Sequence, residues 1–94
     1  FLTATDDVAD VRGVLIYPLP SMGELMLEFV LTKAGDTRIY LQDALGKMVA
    51  QLLDRRLEAG VHKNRFRVGI LPGNYQLCIQ RGSRKVNFPI IIMR

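Results

Sequence analysis

The sequence predicts an all-β protein, an antiparallel Greek-key β-sandwich of about seven short strands. Apolar and polar residues alternate along most segments with the period of two that is typical of half-buried strands. Groups of Gly, Pro and Asp separate these segments at intervals of roughly ten residues, as expected for a sandwich. The chain has 94 residues, 49% of them hydrophobic, and no Trp. We therefore expect one domain with an aliphatic core.

Each strand of the first half has its own signal. The first ends at Pro18, because proline has no N–H for a ladder. The second alternates along its length, and the third repeats that pattern after the turn-forming residues 33–36. In the turn Asp43–Gly46, Gly46 supplies the positive φ that closes a hairpin onto the fourth strand. The residues predicted to face inward are Leu25, Leu27, Phe29, Leu31, Ile39 and Leu41.

The second half continues the alternation. Residues 54–60, ending at Gly60, contain too few apolar residues for a helix face, so we expect extended or irregular structure there. Leu71, Pro72 and Gly73 form a turn before the sixth strand. Pro89 interrupts the last strand, which predicts that this strand lies at a sheet edge or is bulged. The predicted strands are residues 13–17, 24–32, 37–43, 47–53, 63–68, 75–80 and 85–93.

Charge separates the chain into two parts. Residues 1–11 carry three Asp and no basic residue, whereas the whole chain has a net charge of +4. We interpret residues 1–11 as an acidic linker or N-terminal segment and residues 12–94 as the domain. The opening residues lack the basic and apolar regions of a signal peptide, so we expect either a cytoplasmic protein or a piece of a longer one, and Phe1 at the first position favours a piece.

Catalysis, metal binding and nucleic-acid binding have little support in the sequence. The single Cys78 and the single His62 lack the third group that a nucleophilic pair needs, and they are too few for a metal site. We predict a structural, half-buried Cys78, no enzyme activity and no cofactor. Although the pI is about 9.6, no nucleic-acid-binding motif accompanies the basic residues, so no nucleic-acid partner is expected.

Four motifs occur in a fixed order along the chain. A Pro-x-Pro segment follows the first strand, with Tyr17, Pro18, Pro20 and Gly23. A D-x-x-G turn contains Asp43 and Gly46, and an L-P-x-x-Y corner contains Leu71, Gly73 and Tyr75. The last strand runs from Lys85 through Ile90, Ile91, Ile92 and Met93 to Arg94. We expect the Tyr75 hydroxyl to bond a nearby backbone carbonyl, as in the tyrosine corner of Ig-like sandwiches.

Read together, these motifs resemble the type A C-terminal sorting domains of the type IX secretion system, over roughly residues 12–94. The resemblance implies an Ig-like β-sandwich at the end of a cargo protein, recognised by the translocon and by a sortase-like protease that removes it. It implies passage through the periplasm to the outer membrane, the cell surface or the medium, with attachment of the cargo to lipopolysaccharide. The translocation signal would comprise Lys85, Ile90, Ile91, Ile92, Met93 and Arg94.

Two alternatives stay open at this point. The domain is either a sorting signal or an accessory domain of a surface protein, similar to Ig or fibronectin domains. A variant of the sorting signal is an uncleaved domain that docks on anionic lipopolysaccharide. An apolar edge strand also exposes N–H and C=O groups that a receptor, or a second copy in a homodimer, would pair with.

Overall fold

The computed structural model describes residues 10–93, which form seven strands and contain no helix. The prediction of an all-β fold with seven strands is confirmed. Within this part of the chain there is accordingly no helix with the length and apolar character needed to span a bilayer. The strands are β1 Val11–Tyr17, β2 Glu24–Leu31, β3 Gly35–Gln42, β4 Met48–Leu57, β5 Gly60–Arg67, β6 Gly73–Arg81 and β7 Arg84–Ile92.

The strands form two sheets. One has the order β1-β2-β5 and the other β4-β3-β6-β7, and all paired strands are antiparallel. The chain changes sheet three times, after β2, after β4 and after β5, because β5 pairs with β2 rather than with its neighbours in sequence. These crossovers give the predicted Greek-key sandwich. β7 pairs only with β6 and lies at one edge of the four-stranded sheet, as the position of Pro89 predicts.

The core lies between the two sheets. β2 contributes Leu25, Leu27, Phe29 and Leu31, each at most 1% exposed, so its predicted inward face is confirmed. β3 contributes Ile39 and Leu41, also as predicted. The remaining buried members of this cluster are Val11, Val14, Leu53, Leu57, Val68, Leu77, Ile79, Phe88, Ile90 and Ile92. A side chain of this kind contributes about 1.5–3 kcal/mol when fully buried.

The first strand begins earlier than the alternation suggests. Val11 and Val14 are both buried although they are three residues apart. Gly13, with a φ of 60°, lies where the register with β2 shifts, so a bulge turns both valines inward. The structured domain therefore includes Val11 of the predicted linker, whereas residues 1–9 lie outside the described residues.

The polar segment after Leu53 is strand rather than irregular loop. Residues 54–57 continue β4, and β5 starts at Gly60. Of these four residues only Leu57 is buried, whereas Asp54, Arg55 and Arg56 are exposed. The expectation of extended structure is confirmed, but nearly all of the segment is regular strand.

A buried arginine joins three parts of the chain. The side chain of Arg81, at the end of β6, is 6% exposed. Its Nε donates to Asp10 Oδ2 at 2.8 Å, its Nη1 to Thr37 Oγ1 at 2.6 Å and its Nη2 to the carbonyl of Lys33 at 2.7 Å. The guanidinium therefore has a partner for each nitrogen, as a buried charge requires. These bonds fix the start of β1 at the end of the sandwich where β6 finishes.

Candidate recognition groove

The four sequence motifs meet around one groove on the outer face of the four-stranded sheet. We call this cavity of about 780 Å³ the terminal groove. It lies at the end of the sandwich where β3 and β7 finish and β6 begins. Its lining residues are Leu19, Pro20, Gln42, Asp43, Ala44, Gly46, Asn74, Tyr75, Gln76, Pro89, Ile90 and Ile91. Each motif thus contributes to the same surface, although the motifs are far apart in sequence.

One side of the terminal groove is the Pro-x-Pro segment, held in place by Ser21. Ser21 is completely buried, and its Oγ donates to the carbonyl of Glu24 at 2.8 Å and accepts from the N–H of Gly23 at 3.1 Å. Its own N–H donates to the carbonyl of Ile91 at 2.8 Å, and its carbonyl accepts from the N–H of Met93 at 2.7 Å. The segment therefore forms a short parallel bridge with the end of β7. Sequence reasoning missed Ser21, whose only signal is a small polar residue between Pro20 and Gly23.

The opposite side of the groove is the turn between β3 and β4. Gly46 has a φ of 84°, as predicted, and its N–H donates to the carbonyl of Asp43 at 3.0 Å. The Oδ1 of Asp43 accepts from the N–H groups of Leu45 and Lys47, both at 2.9 Å. Asp43 therefore stiffens the turn by the local bonding typical of aspartate. Leu45 is left 93% exposed at the tip.

The floor of the groove carries uncharged side chains, those of Asn74, Gln76 and Pro89. Tyr75 fixes the corner from which β6 starts, because its hydroxyl donates to the carbonyl of Leu71 at 2.5 Å. This is the bond that the sequence predicts. Among residues 10–93, Asp43 is the only charged residue that lines the groove.

The terminal strand has two faces with different uses. Ile90 and Ile92 point inward and are each 2% exposed, whereas Ile91 is 48% exposed and faces the groove. Met93 is 45% exposed beyond the end of β7. Lys85 lies at the other end of β7, away from the groove, and Arg94 lies outside the described residues. The structure therefore brings only part of the predicted signal together.

Two glycines singled out in the sequence, Gly23 of the Pro-x-Pro segment and Gly60, have local roles outside the groove. Gly23 has a φ of 106°, and its carbonyl accepts from the N–H of Val68 at 2.7 Å. Gly60, with a φ of 125°, starts β5 in the other sheet.

The hydroxyl of Tyr17 donates to the carboxylate of Glu28, which raises the pKa of Tyr17 above its usual value.

A row of basic residues lies on the other sheet. Lys63, Arg65 and Arg67 occupy alternate, exposed positions of β5, so they form a row on the outer face of the three-stranded sheet. Glu24 of the neighbouring strand approaches Arg65 at 4.0 Å and Arg67 at 3.8 Å. Exposed pairs of this kind contribute at most about 1 kcal/mol.

Cys78 and His62 are not neighbours, because they belong to different sheets. Cys78 faces outward beside Tyr40, yet it is completely buried, so the expected half-buried cysteine is wrong. Burial raises the pKa of its thiol, while the charge of Lys85 acts in the opposite direction. His62 stacks on Phe29, with ring centroids 5.3 Å apart, and its Nε2 lies 2.7 Å from the carbonyl oxygen of Glu58.

Within residues 10–93 no three His, Cys, Asp or Glu side chains are grouped closely enough to share a metal ion. A scan against protein-family models and a search of curated proteins both find no match to this chain.

Proposed function

We propose that this chain is a sorting module of the type IX kind, which directs a cargo protein across the outer membrane. The supporting observation is that all four motifs of the resemblance contribute to the terminal groove. Translocon components would bind this folded surface, and a sortase-like protease would act on the chain upstream of it. The module itself would perform no chemistry.

The physical character of the groove supports a role in protein recognition. Its sides carry Leu19, which is 40% exposed, and Ile91, which is 48% exposed. Apolar side chains left in solvent around a concavity are typical of interaction sites. The bonds of Ser21 and Asp43 hold both sides in place before any partner arrives, and such preorganisation lowers the entropic cost of binding.

The direction of the chain also suits a module at the end of a cargo. Asp10 is held beside Arg81, at the end of β6, whereas the groove includes Asn74 at the start of the same strand. Seven residues of extended chain span about 23 Å. An upstream cargo would therefore join the sandwich at the end opposite the groove and leave the groove accessible.

Export of a reporter fused before residues 1–94, in a bacterium with the type IX apparatus, tests the proposal. Deleting residues 90–94 would also remove Ile90 and Ile92 from the core, so a point substitution is more informative. Ile91→Glu places a charge in the groove, and Val61→Glu is the matched control, because Val61 is an apolar residue 70% exposed on an edge strand of the other sheet. We expect Ile91→Glu to reduce surface export about ten-fold or more, equivalent to 1.4 kcal/mol of binding, and Val61→Glu to leave it unchanged. If the unmodified fusion stays in the periplasm, the accessory-domain alternative replaces the proposal.

The basic row on β5 favours a second candidate, docking on anionic lipopolysaccharide. Lys63, Arg65 and Arg67 point from one face at every second residue, and basic side chains in such a row attract anionic headgroups. Binding of the purified domain to lipopolysaccharide should then fall with salt and with Arg65→Glu. Binding that survives Arg65→Glu would eliminate this candidate.

A further inference from the structure

We infer that the free edge of β7 accepts an added strand from a partner protein, over the short window Lys85–Pro89. This inference deepens the proposed function by specifying the chemistry of the partner, and it rests on that proposal only for the identity of the partner.

The geometry of β7 defines the window. The carbonyl of Ile91 and the N–H of Met93 point away from β6, since both bond Ser21. Backbone groups alternate in direction along a strand, so the corresponding groups of Lys85, Asn87 and Pro89 also point away from β6. No described residue pairs with them, because the one bridge on this side is that of Ser21 with Ile92. The edge therefore presents the N–H and C=O groups of Lys85 and Asn87 and the carbonyl of Pro89.

Both ends of the window are limited by the structure. The Pro-x-Pro segment occupies the edge beyond Pro89, through the bridge at Ser21. The β6–β7 hairpin ends the strand before Arg84. Pro89 itself has no N–H, so a partner strand gains fewer bonds there than opposite Asn87. An added strand of about five residues fits between these limits, and antiparallel pairing is slightly the more stable arrangement.

The side chains specify which strand fits. Lys85, Asn87 and Pro89 all point to the outer face of the sheet, and Pro89 and Ile91 belong to the terminal groove. Arg84 and Lys85 form no ion pair with any residue that the structure describes, and residues 82–93 contain no acidic residue. An antiparallel partner would therefore carry an apolar side chain opposite Pro89, where it reaches the groove, and an acidic side chain opposite Lys85 four residues later. Lysine and proline at an edge oppose indiscriminate pairing, so a partner with a matching acidic residue would be selected.

A peptide-binding experiment tests the inference directly. The probe is a short synthetic peptide that has threonine at alternate positions and leucine four positions before a glutamate. The control peptide has lysine in place of that glutamate. Asn87→Pro removes the outward N–H but no bond to β6, and Pro89 shows that proline is tolerated at an equivalent position of this strand. Asn87→Ala is the matched control, because it keeps the N–H. Circular dichroism establishes that the variants fold. If Asn87→Pro does not fold, the peptide preference of Lys85→Glu still tests the inference.

We expect the glutamate peptide to bind the unmodified chain and to protect the amides of Lys85 and Asn87 from hydrogen exchange. It should bind Asn87→Pro about ten-fold more weakly, because a hydrogen bond is lost and its partner is left unpaired. Asn87→Ala should bind normally, and Lys85→Glu should prefer the lysine peptide. No binding, or equal binding by Asn87→Pro, would overturn the inference. So would a dimer of the free chain with Lys85 and Asn87 already protected, since a second copy would then hold the edge.

Export of the Asn87→Pro reporter separates the two proposals. If Asn87→Pro binds the glutamate peptide as tightly as the unmodified chain and is exported normally while Ile91→Glu is not, sorting stands and strand addition on β7 fails. If the peptide binds as expected and no fusion is exported, strand addition stands and the sorting proposal fails.

Discussion

Replacing Arg81 by methionine should destabilise the sandwich more than any other single change to a charged residue in the described part of the chain. Arg81 has the most buried of the described charged side chains and bonds Asp10, Thr37 and the Lys33 carbonyl. Methionine has a similar length but no donors, so the substitution removes all three bonds at once. It leaves the Asp10 carboxylate, whose side chain is 20% exposed, without its cation.

The magnitude follows from the state of the three acceptors. Thr37 loses least, because its Oγ1 still donates to the carbonyl of Gly35 at 3.2 Å. Asp10 and the Lys33 carbonyl lose partners in a partly buried position. Removing one member of a buried ion pair costs about 3–5 kcal/mol. Since 1 kcal/mol shifts the melting temperature of a domain this size by about 4–8 °C, we expect a fall of about 12–40 °C.

Urea unfolding followed by circular dichroism measures this effect. Arg38→Met is the matched control, because the side chain of Arg38 is 46% exposed and its nearest carboxylate oxygen, on Asp54, is 3.9 Å away. We expect the control to lose no more than about 1 kcal/mol. A double-mutant cycle with Asp10→Ala should show coupling of about 0.5–3 kcal/mol. Equal, small losses for Arg81→Met and Arg38→Met would refute this explanation of how β1 is anchored.

Three further changes test local features. Ser21→Ala should lower the free energy of unfolding by about 1–3 kcal/mol, because the Gly23 N–H loses its acceptor. The control Thr32→Ala, at an exposed site, should leave the free energy of unfolding unchanged. Equal urea midpoints for the two variants would contradict the role of Ser21. Tyr75→Phe should cost about 0.5–1.5 kcal/mol in the same assay, and a neutral effect would show that the corner bond is dispensable. Burial raises the pKa of the Cys78 thiol, so the unfolded thiol ionises first as pH rises, and stability should fall above about pH 8.5–9. Cys78→Ala should not show this loss of stability at high pH, and identical pH profiles for the two proteins would disprove the role of Cys78. Native Cys78 should also react with thiol reagents only on unfolding.

The sequence predicted those elements whose side chains alternate without interruption. β2 is the best case, because one of its faces is buried along its whole length and the pattern is therefore complete. β1 was predicted to start two residues late, since the bulge at Gly13 breaks the period of two. In β4, residues 54–56 are solvent-exposed, and no alternation remains to be recognised.

The candidate site was only partly predictable. The motifs that line the groove were identified separately, whereas Gln42 and Gln76 belong to none of them. The convergence of the motifs depends on the order of the strands, which no local pattern specifies. Arg81 looks like a turn residue in the sequence, and its partner Asp10 is 71 positions away. Ser21 likewise acquires its role only from contact with β7.

Export of Leu19→Glu, compared with Ile91→Glu in the same reporter, is the most direct test that the terminal groove is read as one folded surface. Leu19 lies in the Pro-x-Pro segment, far from the terminal strand in sequence, and both side chains line the groove. We expect both folded variants to lose export to a similar extent, about ten-fold or more. Normal export of Leu19→Glu, with loss only for Ile91→Glu, would mean that the machinery recognises the terminal strand alone and that the groove is not the recognition surface.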